Sequence, residues 1–420
     1  QNEKRQRDNQ PYGLSSYAQQ DALFPVGHPY RHSTIGSMAD LDAATLDDVK
    51  TWFRTWYGPN NAVLVLAGDI DVKTAREKVA KYFGHIPASP TMAQPKVDVA
   101  VRSQSTREVM QDKVPAVRVY RAWNVAQVGT TDIDQLQVLG FVLGGSKSSR
   151  LDTRLLHGDK LVDSISAGAY ASQLGSNFMV TATIKDGVDP AKVEAIIEEE
   201  LRRLIAEGPT AAELEQAKVA TRASFIRGIE RIGGFGGKAD ALAECAIYTG
   251  NPGCFRDSLK TIETVTAADL KAVGAKWLGK GDHTLVVQKG ERTPLPEDPA
   301  GTPAPFQLPT VDKKYKTTAS AVDRKAGVPM PGEFPQLTFP TLQRATLSNG
   351  TQVILAERHD IPVVQMSYQF NGGFTADQGA KLGTSSFAMG MLDEGAGALG
   401  TLAFANRAEA LGAHLGASAS

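Results

Sequence analysis

The strongest constraint on this chain is a pattern that repeats 221 residues apart. TLDDVKTWFRTWYGPNNAVLVLAGD begins at Thr45, and TAADLKAVGAKWLGKGDHTLVVQKGE begins at Thr266. Thr45, Asp48, Lys50, Trp56, Gly58 and Val65 match Thr266, Asp269, Lys271, Trp277, Gly279 and Val286 at one constant offset. An offset of domain size implies duplicated domains and not a solenoid of short repeats. Each copy opens with a threonine and an aspartate three positions on, a pair able to satisfy the first free amides of a helix. In the first copy Leu46, Val49, Trp52, Phe53 and Trp56 fall at helical spacing. A glycine stops each helix, and an apolar run should follow as a strand, AVLVLAG in one copy and TLVVQ in the other.

A second pair of segments repeats the unit from its other end. KVPAVRVYRAWN around Pro115 is similar to DIPVVQMSYQFN around Pro362. Both read as strands followed, after a glycine loop, by a helix: DIDQLQVLGFVLGG and AKLGTSSFAMGML. The chain is therefore expected to hold the end of one unit, one whole unit and the start of another. In the whole unit, VDPAKVEAIIEEELRRLIAEG predicts a helix capped by Asp189, opened by Pro190 and ended by Gly208. Thr210 and Glu213 form a further capping box, and IGGFGG at 232–237 breaks the helical pattern. That glycine cluster follows no strand and opens no βαβ unit, so it reads as an inter-helix loop and not as a phosphate cradle. Ten of the 22 prolines lie between Arg292 and Pro340, which predicts an extended, semi-rigid linker. Beyond it SNGTQVIL offers an asparagine–glycine turn between β-type runs. Mixed helices and hairpin signals favour an α+β fold with mostly antiparallel sheets flanked by helices.

The formal net charge of −1 and the lack of a long basic block argue against a nucleic-acid surface. No apolar run is long enough to span a bilayer. The opening shows no signal-peptide pattern, which decides nothing for a chain expected to be an internal piece. Cys245 and Cys254 cannot build a structural zinc site alone. The glycine–proline turn between them allows a disulfide, and two free thiols fit equally well. A bridge would point to an oxidising compartment such as a periplasm.

Self-contained catalytic motifs are missing: there is no G-x-S-x-G, no P-loop, no HExxH and no HxxEH. His28 and His32 in GHPYRH have the i, i+4 spacing of a zinc helix, but Gly27 and Pro29 make the stretch a loop, and a structural role fits better. The remaining histidines are scattered singly.

The order of segments nonetheless resembles one family. NEKRQRDNQPYG, LFPVGHPYRHSTIG, YGPNNAVLVLAGD and KYFGHIP resemble the first domain of the pitrilysin/insulinase family of zinc metallopeptidases, downstream of its zinc helix. LGGSKSSRLDTRLL resembles the second domain's core helix and loop. LSNGTQVIL, FNGG and MLDEGAGAL resemble the opening of the third domain. The resemblance implies duplicated αβ domains of the LuxS/MPP-like metallopeptidase type. It divides the chain into the end of a catalytic-type domain (1–95), a non-catalytic domain (96–291), an interhalf linker (292–340) and the start of an inactive-type domain (341–420).

In that family zinc is held by the two histidines of an HxxEH helix and a later glutamate, and the motif's own glutamate activates a water on the metal. The resemblance places the third ligand on Glu3 and implies zinc in the intact protein. No HxxEH precedes Glu3 here, so no bound metal and no activity are expected of the chain alone. In the third-domain copy, KLGTSSFAMGMLDEGAG, the ligand positions fall on Ser386 and Gly390 and the general-base position on Met389. That copy is expected to be catalytically dead, with Phe387, Met389, Met391 and Leu392 as core. The family's substrate-assisting Arg and Tyr have Leu156 and Asp163 at the equivalent second-domain positions. The implied partners are a peptide substrate and the remaining parts of the polypeptide or a paralogous subunit, with no nucleic acid and no membrane span. A bacterial periplasm or envelope is the implied compartment. Two readings compete with the peptidase: a catalytically dead scaffold subunit, and a module that binds peptides without cleaving them.

Overall fold

The computed structural model describes residues 1–90, 95–292, 294–295, 310–328, 330, 332–333, 336 and 338–420. Of the proline-rich segment, Pro296, Pro299, Pro303, Pro305, Pro309, Pro329, Pro331 and Pro335 lie outside the described residues. The chain opens with five helices, α1 (Asn2–Asn9), α2 (Ser15–Leu23), α3 (Met38–Ala43), α4 (Leu46–Trp56) and α5 (Val72–Phe83). Thr45 and Asp48 close the expected capping box on α4. The strand expected from AVLVLAG does not form: residues 62–67 pair with no strand among the described residues. A strand is a property of a pair of chain segments, and an apolar run without a partner ladder has no hydrogen-bonded way to be one. The apolar stripe of α4 is likewise uncovered, with Trp52 58 % and Phe53 51 % exposed.

The central region builds a complete core. β1 (Thr106–Asp112) and β2 (Val117–Val125) lead to α6 (Thr131–Gly144), then β3 (Val162–Tyr170) and β4 (Ser176–Ile184). Five helices follow: α7 (Pro190–Glu207), α8 (Ala211–Gly228), α9 (Lys238–Thr249), α10 (Phe255–Thr264) and α11 (Ala267–Trp277). β5 (His283–Lys289) then returns to the sheet. The order is β1-β5-β2-β4-β3; only β1 and β5 run parallel, and the other neighbours are antiparallel. Asp189 caps α7, Pro190 opens it, and Gly208 ends it at φ +83°, a conformation glycine adopts freely. The capping boxes Thr210–Glu213 and Thr266–Asp269 both form.

Residues alternate between the two faces of the sheet. Val119, Trp123, Phe178 and Val286 meet α6, α7 and α11 in the larger core, whereas Met110, Leu285 and Val287 meet Leu14 and Ala18 of the α2 region on the other face. α6 lies so close to β3 that a Cβ on Gly140 would stand 2.8 Å from the Gly168 Cα. Cys245 and Cys254 are joined in a disulfide that ties the end of α9 to the start of α10. IGGFGG forms the loop between α8 and α9.

The last region holds a hairpin of β6 (Leu342–Thr346) and β7 (Gln352–Ala356), turned at Gly350 with φ +89°. VVQMSYQF, expected as a strand, is not one, for the same lack of a neighbouring ladder among the described residues. α12 (Thr384–Gly390), the short pair β8 (Gly395–Ala396) and β9 (Leu399–Gly400), and α13 (Thr401–Ala410) complete the chain. Phe387, Met391 and Leu392 are exposed and Met389 is only half-buried, so the expectation that these four form core is corrected. α12 is packed chiefly by the neighbouring turn at Phe374–Asp377, too little to cover an apolar helix face. No described helix is long and apolar enough to cross a membrane.

Candidate functional site

Glu3 sits in the first turn of α1 with its side chain exposed. The only buried residue of this very polar helix is Lys4, whose ammonium lies 2.8 Å from Asp8 Oδ2 and 4.6 Å from the centre of the Tyr17 ring. Tyr17 donates its hydroxyl to Asp8 Oδ1 at 2.9 Å. Burial, then this bond to a carboxylate, push the Tyr17 phenol above its ordinary value.

The end of α1 is fixed by a residue far away in sequence. Arg292 donates to the carbonyls of Asp8 (2.6 Å), Asn9 (3.3 Å) and Gln10 (2.9 Å), groups a helix C-terminus leaves without intrahelical partners. Its Nε lies 2.5 Å from Asp112 Oδ1 at the end of β1. Asp112 Oδ2 accepts the Tyr12 amide at 2.8 Å, and the Tyr12 hydroxyl donates to the Ala116 carbonyl at 2.7 Å. Tyr12 has φ +64°, unusual for a non-glycine residue, and its ring lies against the Arg118 guanidinium at 3.7 Å. DNQPYG is thereby clamped to the sheet. A cavity of about 570 Å³ opens beside this clamp, lined by Lys4, Asp8, Tyr17, Arg31, His32 and Arg292 among others.

The histidines of GHPYRH behave structurally. His28 is buried, stacks on Phe24 at 4.7 Å, and accepts the Tyr30 amide on Nδ1 at 3.0 Å. Burial holds its pKa below the usual imidazole value. The turn Pro29–Arg31 is a 3₁₀ turn, so the two imidazoles do not share a helix face.

In the third region, Asp377 is buried and accepts the amides of Gly383 (2.9 Å) and Ser385 (3.1 Å) and the Ser385 hydroxyl (3.1 Å), fixing the start of α12. Ser386, Met389 and Gly390 follow on that helix and bring neither an imidazole nor a carboxylate. Leu156 packs against the main core and Asp163 is exposed on β3. No group of three His, Cys, Asp or Glu able to hold a metal occurs among the described residues. Among the described residues, therefore, no donor set fits a zinc ion: Glu3 offers one carboxylate where zinc needs three or four ligands. Sequence reasoning missed the Arg292–Asp112–Tyr12 clamp, because nothing local marks three residues so far apart as partners.

These elements define a class: a mostly antiparallel α+β unit with helices on both faces of its sheet. Residues 43–220 match the family model described as Peptidase M16 inactive domain. The Helicobacter pylori zinc protease PqqE is 28 % identical over 230 residues, which cover 53 % of this chain and 51 % of that protein. The non-peptidase homolog YmxG of the same organism is 24 % identical over 196 residues, covering 45 % and 44 %. The chain thus spans about half the length of the curated relatives it matches. Among solved structures, a protease from Helicobacter pylori superposes with a TM-score of 0.63 at 24 % identity, covering 68 % of this chain and 70 % of that one. The periplasmic protease PqqL of Escherichia coli gives 0.54 at 18 %, covering 85 % and 41 %. Over residues 43–220 the chain is thus similar to the inactive domain of M16, pitrilysin-type peptidases.

Proposed function

We propose that this chain is the non-catalytic, architecture-bearing part of a zinc metalloendopeptidase that cleaves peptides or unfolded polypeptides in a closed chamber. Its divisions are those of the resemblance: 1–95 ends a catalytic-type domain, 96–291 is the non-catalytic domain, 292–340 joins the halves and 341–420 begins an inactive-type domain. The observation that carries the reading is the match of residues 43–220 to the family's inactive domain. The absence of ligand side chains at Ser386, Met389 and Gly390 supports it. Zinc belongs to the intact protein, with Glu3 as its third ligand, and the substrate is an extended peptide. The Cys245–Cys254 disulfide and the likeness to a periplasmic protease's fold support an envelope or periplasmic location. Hydrolysis of a quenched peptide by the intact protein, abolished by a chelator and by Glu3→Gln, is the expected result. The 420-residue chain alone is expected to hydrolyse nothing. An intact protein that binds zinc yet cleaves no peptide would overturn the enzyme reading.

A second reading has its own support. The likeness to a non-peptidase homolog favours a dead subunit that scaffolds an active paralogue. Co-purification with a paralogue whose activity falls when this protein is removed would favour it over the peptidase.

A further inference from the structure

In the complete central unit β5 lies between β1, which it joins in parallel, and β2, which it joins antiparallel. Residues 62–67 are the counterpart of β5 at the 221-residue offset. Pro115 and Pro362 stand 247 residues apart, and at that offset β7 is the counterpart of the start of β1 and residues 364–370 are the counterpart of β2. The chain thus carries the parts of a second β1-β5-β2 arrangement in two places, and these form no ladder with each other among the described residues. The observed registers transfer through the two offsets. Val119 opposite Val286 becomes Met366 opposite Val65, and Arg121 opposite Thr284 becomes Tyr368 opposite Val63. On the parallel side Glu108 opposite Leu285 becomes Leu355 opposite Leu64.

The side chains suit that placement. Val364, Met366, Tyr368 and Phe370 alternate with polar residues, the pattern of a strand buried on one face. Residues 62–67 are apolar at every position, as an inner strand covered on both faces requires. In the complete unit Val119, Trp123 and Val286 share the main core with Leu270 and Val273 of α11. Their counterparts are Met366, Phe370, Val65, Val49 and Trp52; Met366 is 78 % and Phe370 80 % exposed, and Val49 and Trp52 are exposed as well. Among the described residues β7 is paired on its β6 side alone, so an added strand would continue an existing sheet. Trp52, Phe53, Tyr57, Tyr368, Phe370 and Phe387 are each more than half exposed. At about 150–250 Å² apiece these aromatics offer roughly 600 Å². Two such seats reach about 1,200 Å², the size of a stable interface before any aliphatic side chain is counted.

The last region is anchored on the central unit, where Lys147 holds Asp393 and Glu394 at 2.8 and 3.0 Å and Arg227 of α8 donates to the Gly412 carbonyl. With those ties in place, residues 62–67 of the same chain form no ladder with it. We propose that a second copy of this chain fills the seat: residues 62–67 of one copy insert between β7 and residues 364–370 of the other, parallel to the first and antiparallel to the second. The exchange is reciprocal, so a two-fold axis relates the two seats and the assembly closes as a dimer. α4 of one copy then covers Met366 and Phe370 of the other, as α11 covers Val119 and Trp123 in the complete unit. This pairing rests on the duplication that also underlies the proposed function, but on neither zinc nor cleavage: mass and cross-linking report the one, hydrolysis the other.

Light scattering of the 420-residue chain at about 10 μM should give twice the 44.8 kDa of one copy. Met366→Asp puts a carboxylate into the seat and should halve that mass, while the amides of β4, outside the seat, keep their protection from hydrogen exchange. If β4 protection is lost, Val65→Pro, which removes a ladder donor from the inserted strand, replaces it with the same mass expected. Register is read by oxidising mixed single-cysteine variants, with the native cysteines already bridged. Val65→Cys with Met366→Cys should give a disulfide-linked dimer, and Val65→Cys with Ser367→Cys, whose side chain points to the opposite face, should not. A chain that stays monomeric, a dimer that survives both disrupting variants, or cross-linking of both mixtures or of neither would overturn the proposal. So would a Val65→Cys, Met366→Cys double variant that links within a monomer, because the chain would then fill its own seat.

Discussion

Arg292 and Asp112 stand 2.5 Å apart, and the same guanidinium closes the carbonyl end of α1. One side chain thus joins the first helix to the first strand of the sheet. Asp112 is almost wholly buried, so removing its cation strands a charge away from water. Arg292→Ala should cost about 3 kcal/mol in chemical denaturation. Arg292→Lys should recover only part of it, since an ammonium cannot span both the carboxylate and the helix end.

The same pair fixes an acid response. Burial would raise the Asp112 carboxyl, but Arg292 and the amides of Tyr12 and Lys113 outweigh it and hold it below the ordinary value. Stability from this group is present above the unfolded carboxylate value and lost as pH falls through the depressed one. Denaturation midpoints should drop below about pH 4, and the drop should shrink in Asp112→Asn.

His28 gives a separate response at milder pH. Its Nδ1 accepts the Tyr30 amide, so protonation there forfeits a bond inside an apolar stack. Because its folded value is lowered, the unfolded chain takes up the proton first, and stability falls as pH drops below about 6.5. Comparing urea midpoints at pH 7.5 and 5.5 should show a loss that His28→Phe abolishes.

Glu200 is buried between Arg154 at 3.0 Å and Arg203 at 2.5 Å, both partly exposed. The two sides of this contact are not equivalent. Glu200→Leu leaves cations that water can reach and should cost less than about 1 kcal/mol. The Arg154→Ala, Arg203→Ala double variant leaves a buried carboxylate and should cost about 3 kcal/mol. Equal costs in thermal melts would contradict this.

The disulfide closes a short loop, with Cys245 and Cys254 nine positions apart. Chain entropy alone gives such a link about 2–3 kcal/mol. The Cys245→Ala, Cys254→Ala double variant, or reduction of the native chain, should lower the denaturation free energy by that amount.

What was legible in the sequence was local. Capping boxes at Thr45, Thr210 and Thr266, the proline start and glycine stop of α7, and the Asn349–Gly350 turn each depend on residues within a few positions. AVLVLAG and VVQMSYQF misled because apolar, β-branched composition states a preference, while a strand needs a partner. Met391 and Leu392 misled similarly: their spacing suits a core, but burial depends on what is packed above them. Of the candidate site, the ligand-poor Ser386, Met389 and Gly390 could be read directly. The clamp on α1 could not, since it joins Arg292, Asp112 and Tyr12, residues with no shared local pattern.

The parallel pairing of β1 with β5 has a consequence for synthesis. Thr106 lies opposite His283, and β5 is seated between β1 and β2, so β1 has no other neighbour in the sheet. As the polypeptide leaves the ribosome, β2, β4 and β3 can assemble as an antiparallel set. β1 must wait, its backbone donors unsatisfied, until a strand made some 170 residues later arrives. During that interval the nascent chain shows an open sheet edge beside an uncovered apolar face. The burden of preventing wrong pairing therefore falls on whatever accompanies the chain before residue 289 is made.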